Sequence, residues 1–203
     1  MRKIIVATTN AHKAAEIEEM LSLPEFEVIT ALDAGIICDA EEDAPDFIGN
    51  ALIKARDAHV KCIEKGIDAC VLADDSGICV DALSGEPGVY SARYAGVGAG
   101  QEAINKKLFA KLDGVAFEDR GASFVCALAF IDETGVEYTC EGKVFGRVGF
   151  EPVGDEGFGY DPIFFPKEYD YKLSFGQVDS SEKAKISHRA RAVASLREKL
   201  SDI

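Results

Sequence analysis

The start of the chain combines two kinds of hydrophobic spacing. Residues 3–8 contain the uninterrupted apolar run from Ile4 to Ala7, as in a buried strand. Ala14, Ile17 and Leu21 then recur at helical spacing. The chain therefore opens as strand, loop and helix, and Asn10 is the natural N-cap of that helix. This opening favours a mixed α/β fold.

The same spacing rules predict the later elements. Further strands are expected at residues 27–30, 69–73, 123–131, 137–148 and 160–165, with residues 78–80 as an open continuation of the second of these. Helices are expected at residues 46–65, 101–112 and 187–200. The pattern indicates one mixed α/β domain, built as two lobes with a cleft between them.

Charge and length exclude several classes of protein. The chain has 203 residues and a net charge of −14, which argues against a nucleic-acid partner, because polyanions are held by clustered Lys and Arg. No apolar window is long enough for a membrane span, so we expect a cytoplasmic protein with no membrane partner. The six cysteines include no C-x-x-C pair and are interpreted as reduced and buried, with a disulfide framework or a zinc site as the alternative.

The loop after the first strand is a candidate phosphate site. It reads Thr8, Thr9, Asn10, Ala11, His12 and Lys13. A cation in the first turn of a helix is locally unfavourable, and it makes sense if an anion completes the site. The alternative is an ordinary capped helix with Lys13 in water.

A pair of carboxylates follows the strand at residues 69–73. Asp74 and Asp75 precede Ser76 and Gly77, and a carboxylate at the end of a strand suits Mg²⁺, which takes oxygen ligands. In an extended backbone the two carboxylates point to opposite sides, so that only one needs to face a ligand. An Asx-type turn is the alternative.

Three further candidates lie in the loop before the second helix and in that helix itself. Glu41 and Glu42 offer a second metal ligand, although most acidic runs are solvated. Lys54 lies one turn after Asn50 and would reach a phosphate if its helix lines the cleft; otherwise it is a surface lysine.

The second half of the chain carries candidates for base recognition. Phe158, Gly159, Tyr160 and Asp161 combine aromatic faces, a flexible backbone and a carboxylate, as a purine site requires; the alternative is a turn with core aromatics. Further candidates for an anion or a purine oxygen are Lys183, His188 and Arg189.

Taken together, these stretches resemble the inosine triphosphate pyrophosphatase (Ham1-like) family over nearly the whole chain. The resemblance is carried by residues 8–13, 47–51 with Lys54, 72–77, 87–94, 157–165 and 187–189. Several motifs in the right order are far more specific than any one of them.

The resemblance implies an elongated α/β fold with a central substrate cleft, a homodimer, and Mg²⁺-dependent hydrolysis of purine nucleoside triphosphates such as dITP, ITP and XTP. By similarity, residues 8–13 bind the triphosphate, Asp75 is the base and a metal ligand, and Ser76 touches the substrate. Lys54 is expected to take part in catalysis by neutralising and positioning the phosphates, together with Mg²⁺, Lys13 and Lys183. Glu41 is the preferred second metal ligand and Glu42 the other choice. Residues 158–161, Lys183, His188 and Arg189 would hold the base and neighbouring groups.

One position departs from the pattern of this family. The usual Phe-x-Glu-Asn-Ala is Phe47-Ile48-Gly49-Asn50-Ala51 here, so that a carboxylate near the metal loop is missing. Two other functions remain open at this point. One is a non-catalytic nucleotide-binding module; the other is a nicotinamide-dependent oxidoreductase, against which the absence of G-x-G-x-x-G after the first strand counts.

Overall fold

A computed structural model describes residues 1–21 and 26–201. In this part of the chain the strands are β1 (Arg2–Ala7), β2 (Phe26–Thr30), β3 (Cys70–Val80), β4 (Gly121–Ile131), β5 (Glu137–Val148) and β6 (Phe164–Pro166). The α-helices described are α1 (Ala11–Met20), α2 (Phe47–Glu64), α3 (Gln101–Lys111), α4 (Ser180–Ile186) and α5 (His188–Ser201). The mixed α/β class expected from the sequence is therefore confirmed.

The strands form one sheet in the order β2-β1-β3-β4-β5-β6. β1 lies between two parallel neighbours, with Ile4 opposite Val28 of β2 and opposite Cys70 of β3. At the other end β5 and β6 are antiparallel, with Arg147 opposite Phe165. A strand with parallel partners on both sides is typically buried, which explains the uninterrupted apolar run of β1.

The described residues divide into two compact units. The first unit comprises Met1–Asp75, Cys126–Gly142 and the chain from Arg189 onward, and the second comprises Ser76–Val125 and Lys143–His188. Each has its own core: Ile4, Ile17 and Leu128 are completely buried in the first unit, and Ile78, Leu108 and Phe164 in the second.

Local sequence signals explain where the two site-bearing helices begin and end. The Asn10 side chain accepts hydrogen bonds from the backbone amides of His12 and Lys13 at the start of α1. Asp46 caps α2 in the same way by accepting from Gly49 N. Gly66 follows the C-cap of α2 with a φ of +67°, a left-handed conformation that glycine adopts at little cost.

Four expectations from the sequence need correction. β3 does not stop before the two aspartates but runs through them to Val80. The strand expected at residues 160–165 is a 3-10 turn (Asp161–Ile163) followed by the short β6. The helix α4 was not predicted. All six thiols are free, but Cys38 and Cys79 are only half-buried.

No helix within the described residues is long and apolar enough to span a bilayer.

Candidate active site

The adjacent aspartates of β3 have different partners. Asp74 is buried in the first unit, where its Oδ2 lies 3.0 Å from Lys13 Nζ and 3.4 Å from Arg189 Nη2. Asp75 contacts Lys54 and Asn50 of α2 instead. The alternation of side chains along an extended strand accounts for this separation, as expected from the sequence.

Asp74 is the anchor of a buried ion-pair network. Burial by itself would raise the pKa of this carboxyl, but Lys13 and Arg189 outweigh that effect and hold its pKa well below the usual range. The Arg189 guanidinium also pairs with Glu16 of α1 and is almost completely buried. Both cations are thus committed to neutralising carboxylates, and Lys13 does not lie in open water.

Asp75 is held from two sides by α2. Lys54 Nζ lies 3.1 Å from its Oδ1, and Asn50 Nδ2 donates to its Oδ2 at 3.1 Å. Burial raises the pKa of the Asp75 carboxyl above its ordinary value, although Lys54 and the Asn50 hydrogen bond oppose the rise. A buried carboxylate with a raised pKa and a fixed orientation is the kind of group that serves as a general base.

Lys54 connects Asp75 to the acidic loop before α2. Its Nζ also lies 3.0 Å from Glu42 Oε2, while Glu41 is exposed. Burial would lower the pKa of Lys54, but the carboxylates around it outweigh burial and raise that pKa. The contacts therefore place Glu42 beside the Asp75 pair, and they give no support to the expected preference for Glu41.

Asn50 ties the same loop to Asp75 from the buried side of α2. Its Oδ1 accepts a hydrogen bond of 2.9 Å from Ala44 N, while its Nδ2 donates to Asp75. The side chain is completely buried, so both of these bonds lie away from water. The sequence places Asn50 in a family motif and one helical turn before Lys54, but its link to Asp75 depends on the tertiary structure.

The loop at residues 8–13 is shaped by its own hydrogen bonds. The Thr8 hydroxyl accepts from Asn10 N, and Asn10 in turn takes the amides of His12 and Lys13. Those two amides are therefore already satisfied. Thr8, Thr9 and Ala11 also line a pocket of about 500 Å³ whose other walls are mainly apolar.

Within the described residues there is no group of three or more His, Cys, Asp and Glu side chains arranged to hold a metal ion. Asp75 and Glu42 nevertheless both contact the same Lys54 nitrogen. Mg²⁺ is commonly bound by one or two carboxylates, with substrate phosphates and water as its remaining ligands. The donor set therefore fits a cation that is completed by its substrate.

The second unit contains a separate polar cluster around Asp161. Lys183 Nζ lies 2.7 Å from Asp161 Oδ2, and both side chains are buried. The same oxygen accepts from Phe158 N at 2.8 Å, and Lys183 Nζ lies 4.7 Å from the centre of the Phe158 ring. Gly157 turns the chain here with a φ of +73°, and a Cβ on it would lie 2.3 Å from Asp161 Oδ2.

Two other candidates of the second unit are part of its packing. Tyr160 is buried, and its hydroxyl donates to the Ser91 carbonyl at 2.7 Å. His188 is buried with its ring stacked on Phe124, at 4.9 Å between centroids. Phe158 is only half-buried, which leaves it as the aromatic face of this group that a ligand can reach.

The remaining two candidates are Ser76 and Gly159. Ser76 is half-buried in β3, directly after Asp75. Gly159 has a φ of +61° in the turn before Asp161.

A profile of the Ham1 family matches residues 4–199. The chain belongs to the Ham1 family. Its relatives include proteins named dITP/XTP pyrophosphatase from Clostridium perfringens, 42% identical over 100% of this chain and 99% of the relative, and from Bacillus licheniformis, 44% identical over 97% and 96%. A solved structure of a HAM1 protein from Coxiella burnetii is similar with a TM-score of 0.86 and 36% identity, covering 100% of both chains.

The glycine that departs from the Ham1 family pattern is part of the packing beside Asp75. A Cβ built on Gly49 would lie 2.6 Å from Ala44 Cβ. Ala44 is the residue whose amide donates to Asn50. The loop therefore approaches α2 more closely than any other residue type at position 49 would permit.

Proposed function

We propose that the chain hydrolyses non-standard purine nucleoside triphosphates, such as dITP, ITP and XTP, to the monophosphate and pyrophosphate. The observation that carries the proposal is the buried Asp75 between Lys54 and Asn50, in a chain whose relatives are named dITP/XTP pyrophosphatases. Such an enzyme would remove these nucleotides from the precursor pool.

In this proposal Asp75 is the general base that takes a proton from the attacking water. Its raised pKa makes it a better proton acceptor than an ordinary aspartate, and its two partners on α2 fix the direction of both oxygens. Lys54 supplies positive charge next to the base, where charge develops on the phosphates during hydrolysis.

We propose Mg²⁺ as the cofactor, with Asp75 and Glu42 as its protein ligands and Glu41 as the weaker choice. The approach of Asp75 and Glu42 to one Lys54 nitrogen supports this assignment. When bound, Mg²⁺ would neutralise phosphate charge and orient the phosphates. Without it, a chain with a net charge of −14 would repel a triphosphate.

We assign the binding of the triphosphate to residues 8–13 and to Ser76. Lys13 is the cation of this loop, and its pairing with Asp74 means that it would have to share its charge between that carboxylate and a phosphate. The loop also offers the hydroxyls of Thr8 and Thr9 as donors, whereas the amides of His12 and Lys13 are already bonded to Asn10.

We assign the binding of the base to Phe158, Gly159, Tyr160, Asp161, Lys183, His188 and Arg189. Phe158 is the candidate for stacking, since Tyr160 and His188 are buried. Preference for inosine and xanthosine over adenosine would follow if these groups donate to the purine 6-oxo oxygen, where adenine presents an amino donor. Arg189 contributes through Asp74, since its Nη1 and Nη2 already contact carboxylates.

We further propose that residues 1–203 act as one functional domain, that the protein is a cytoplasmic homodimer, and that it has no nucleic-acid or membrane partner. The match to relatives over their whole length supports the single domain. The acidic charge supports the absence of a nucleic-acid partner. The oligomeric state is measured directly by sedimentation of the purified chain.

The proposed reaction is tested with dITP, XTP and dATP, each with Mg²⁺ and with EDTA, by separating the nucleotide products and assaying pyrophosphate. We expect monophosphate and pyrophosphate from dITP and XTP, dependent on Mg²⁺ and weak with dATP. Asp75→Asn should lower turnover by about two to four orders of magnitude in a folded protein. Nucleotide binding without any product would instead support the non-catalytic module.

The assignment of the base site is tested by the ratio of dITP to dATP turnover. His188→Ala and Phe158→Ala should reduce that ratio, while Phe109→Ala, which removes an aromatic side chain of α3 in the same unit, should preserve it. A ratio unchanged in both site variants would remove the two residues from base recognition.

A further inference from the structure

The ammonium group of Lys61 on α2 uses all three of its hydrogen-bond donors. Its Nζ lies 2.8 Å from the Ile37 carbonyl oxygen, 2.5 Å from Asp39 Oδ1 and 2.7 Å from Asp57 Oδ2. An ammonium has three N–H donors, so this set of acceptors satisfies it completely. The contacts to Ile37 and Asp39 fasten the loop before α2 to the helix.

Lys61 and Lys54 act on the same loop from the same side of α2. They are seven residues apart, which is close to two turns of an α-helix, so their side chains project in nearly the same direction. Lys61 holds Ile37 and Asp39, and Lys54 holds Glu42. Residues 37–42, here called the acidic segment, are therefore fastened to one helix near both ends.

The arrangement around Lys61 differs from an isolated surface ion pair. An exposed pair contributes little by itself, because water competes for both charges. Here Asp57, one turn earlier on α2, orients the ammonium, and a backbone carbonyl accepts from it as well as a carboxylate. The hydrogen bonds to Asp39 and Asp57 raise the pKa of Lys61 to about 12, so the group is charged throughout the physiological range.

We propose that Lys61 is a positioning residue that holds the acidic segment against α2, so that Glu42 stays beside Lys54 and Asp75. The three acceptors around Lys61 Nζ include neither Asp75 nor Glu42, so Lys61 acts on Glu42 through the backbone of the segment. The effect of Lys61 on divalent-cation affinity rests on the proposed function, which assigns Glu42 to the metal. The effect of Lys61 on the order of the acidic segment is independent of the proposed function.

The first measurement is hydrogen–deuterium exchange of the amides of residues 37–44 in the free protein, a range that includes the Ala44 amide bonded to Asn50 Oδ1. Lys61→Met, which keeps the apolar stem and removes the donors, should accelerate exchange there while leaving β3 and β4 protected. Asp39→Asn should produce the same local change from the loop side. The matched control is Arg56→Met on the same helix, which breaks the exposed pair of Arg56 with Glu137.

The second measurement is the Mg²⁺ concentration that gives half-maximal hydrolysis of dITP. In Lys61→Met it should rise about tenfold, as on loss of an outer-shell partner of a metal ligand. Turnover at saturating Mg²⁺ should stay close to that of the wild type, because Asp75 and Lys54 are intact. Arg56→Met should change neither quantity.

The two measurements separate the outcomes. Unchanged exchange of residues 37–44 in Lys61→Met, the Ala44 amide included, would overturn the positioning role, whatever the wild type hydrolyses. Faster exchange with an unchanged Mg²⁺ requirement would overturn its link to the metal. If Lys61→Met exchanges faster but the wild type does not hydrolyse dITP at all, the proposed function is refuted and the positioning role stands.

Discussion

Lys54 Nζ lies 3.1 Å from Asp75 Oδ1, and the same nitrogen lies 3.0 Å from Glu42 Oε2. One ammonium thereby links a carboxylate on the buried strand β3 to a carboxylate of the loop before α2. Removing it would leave the Asp75 carboxylate buried without its cation, which is costly in a poorly solvated site.

Lys54→Met is expected to lower turnover of dITP by about a hundredfold or more, since it removes the charge that we propose acts on the reacting phosphates. The same change should move the acid limb of the pH–rate profile to higher pH, because Lys54 opposes the rise in the pKa of Asp75. Steady-state kinetics across pH measures both effects. Wild-type turnover in a folded Lys54→Met protein, with Arg56→Met as the control, would argue against the role of Lys54.

Asn50→Ala is expected to shift the same acid limb to higher pH, with a smaller loss of turnover at alkaline pH. The reason is that the Asn50 hydrogen bond lowers the pKa of Asp75, which burial has already raised. With Asp75 as the proposed base, activity requires its carboxylate and should therefore rise as pH increases through that pKa. The profile of kcat/KM against pH measures the shift.

Stability provides an independent check on the sign of this shift. Because folding raises the pKa of Asp75, the stabilising contribution of this group is present below the ordinary aspartate pKa and is lost as pH rises through the folded value.

The control for the Asn50→Ala pH–rate profile is Asn105→Ala, which removes a buried asparagine of α3 and should leave the acid limb in place. An acid limb that does not move in Asn50→Ala would contradict the proposed coupling.

The Lys183–Asp161 pair is expected to stabilise the second unit. Lys183→Met leaves a buried carboxylate without its cation, so we expect a loss of about 3 kcal/mol in the free energy of unfolding. Adding Asp161→Asn should recover part of the loss, because the uncompensated charge is removed. Urea unfolding of the two single variants and the double variant measures the coupling. If the two single losses simply add, the pair is not coupled.

Gly49→Ala is expected to destabilise the protein even though alanine is the better helix former. The added Cβ would lie 2.6 Å from Ala44 Cβ and must displace the loop, at a cost of about 1–3 kcal/mol, against a gain in helix propensity of about 1 kcal/mol. Thermal unfolding measures the net effect. The double variant Gly49→Ala with Ala44→Gly removes the contact and should restore stability; if Gly49→Ala alone is stabilising, the loop is not tightly packed.

The sequence by itself determined the elements whose signals are local. The apolar run of β1 and the Asn10 cap of α1 each act through a few neighbouring residues, and the structure has both where they were expected. The family could be recognised because its motifs lie in order along the chain, and the profile match confirmed it.

Only the tertiary structure decided where β3 ends and which groups surround its aspartates. Aspartate is unfavourable within strands, so the sequence indicated a strand end at Asp74. The strand continues because Lys13 and Arg189 neutralise Asp74, and Lys54 and Asn50 hold Asp75. These partners are up to 115 residues away along the chain, and no local pattern encodes such pairings.

The same limit explains the other differences at the site. Glu41 and Glu42 have the same chemistry in the sequence, and only the path of the loop brings Glu42 to Lys54. The sequence leaves Tyr160 open between a base-binding aromatic and a core aromatic, and the structure encloses it in the core of the second unit. Residue type and spacing predict which groups are available, whereas their burial and partners depend on how distant segments pack.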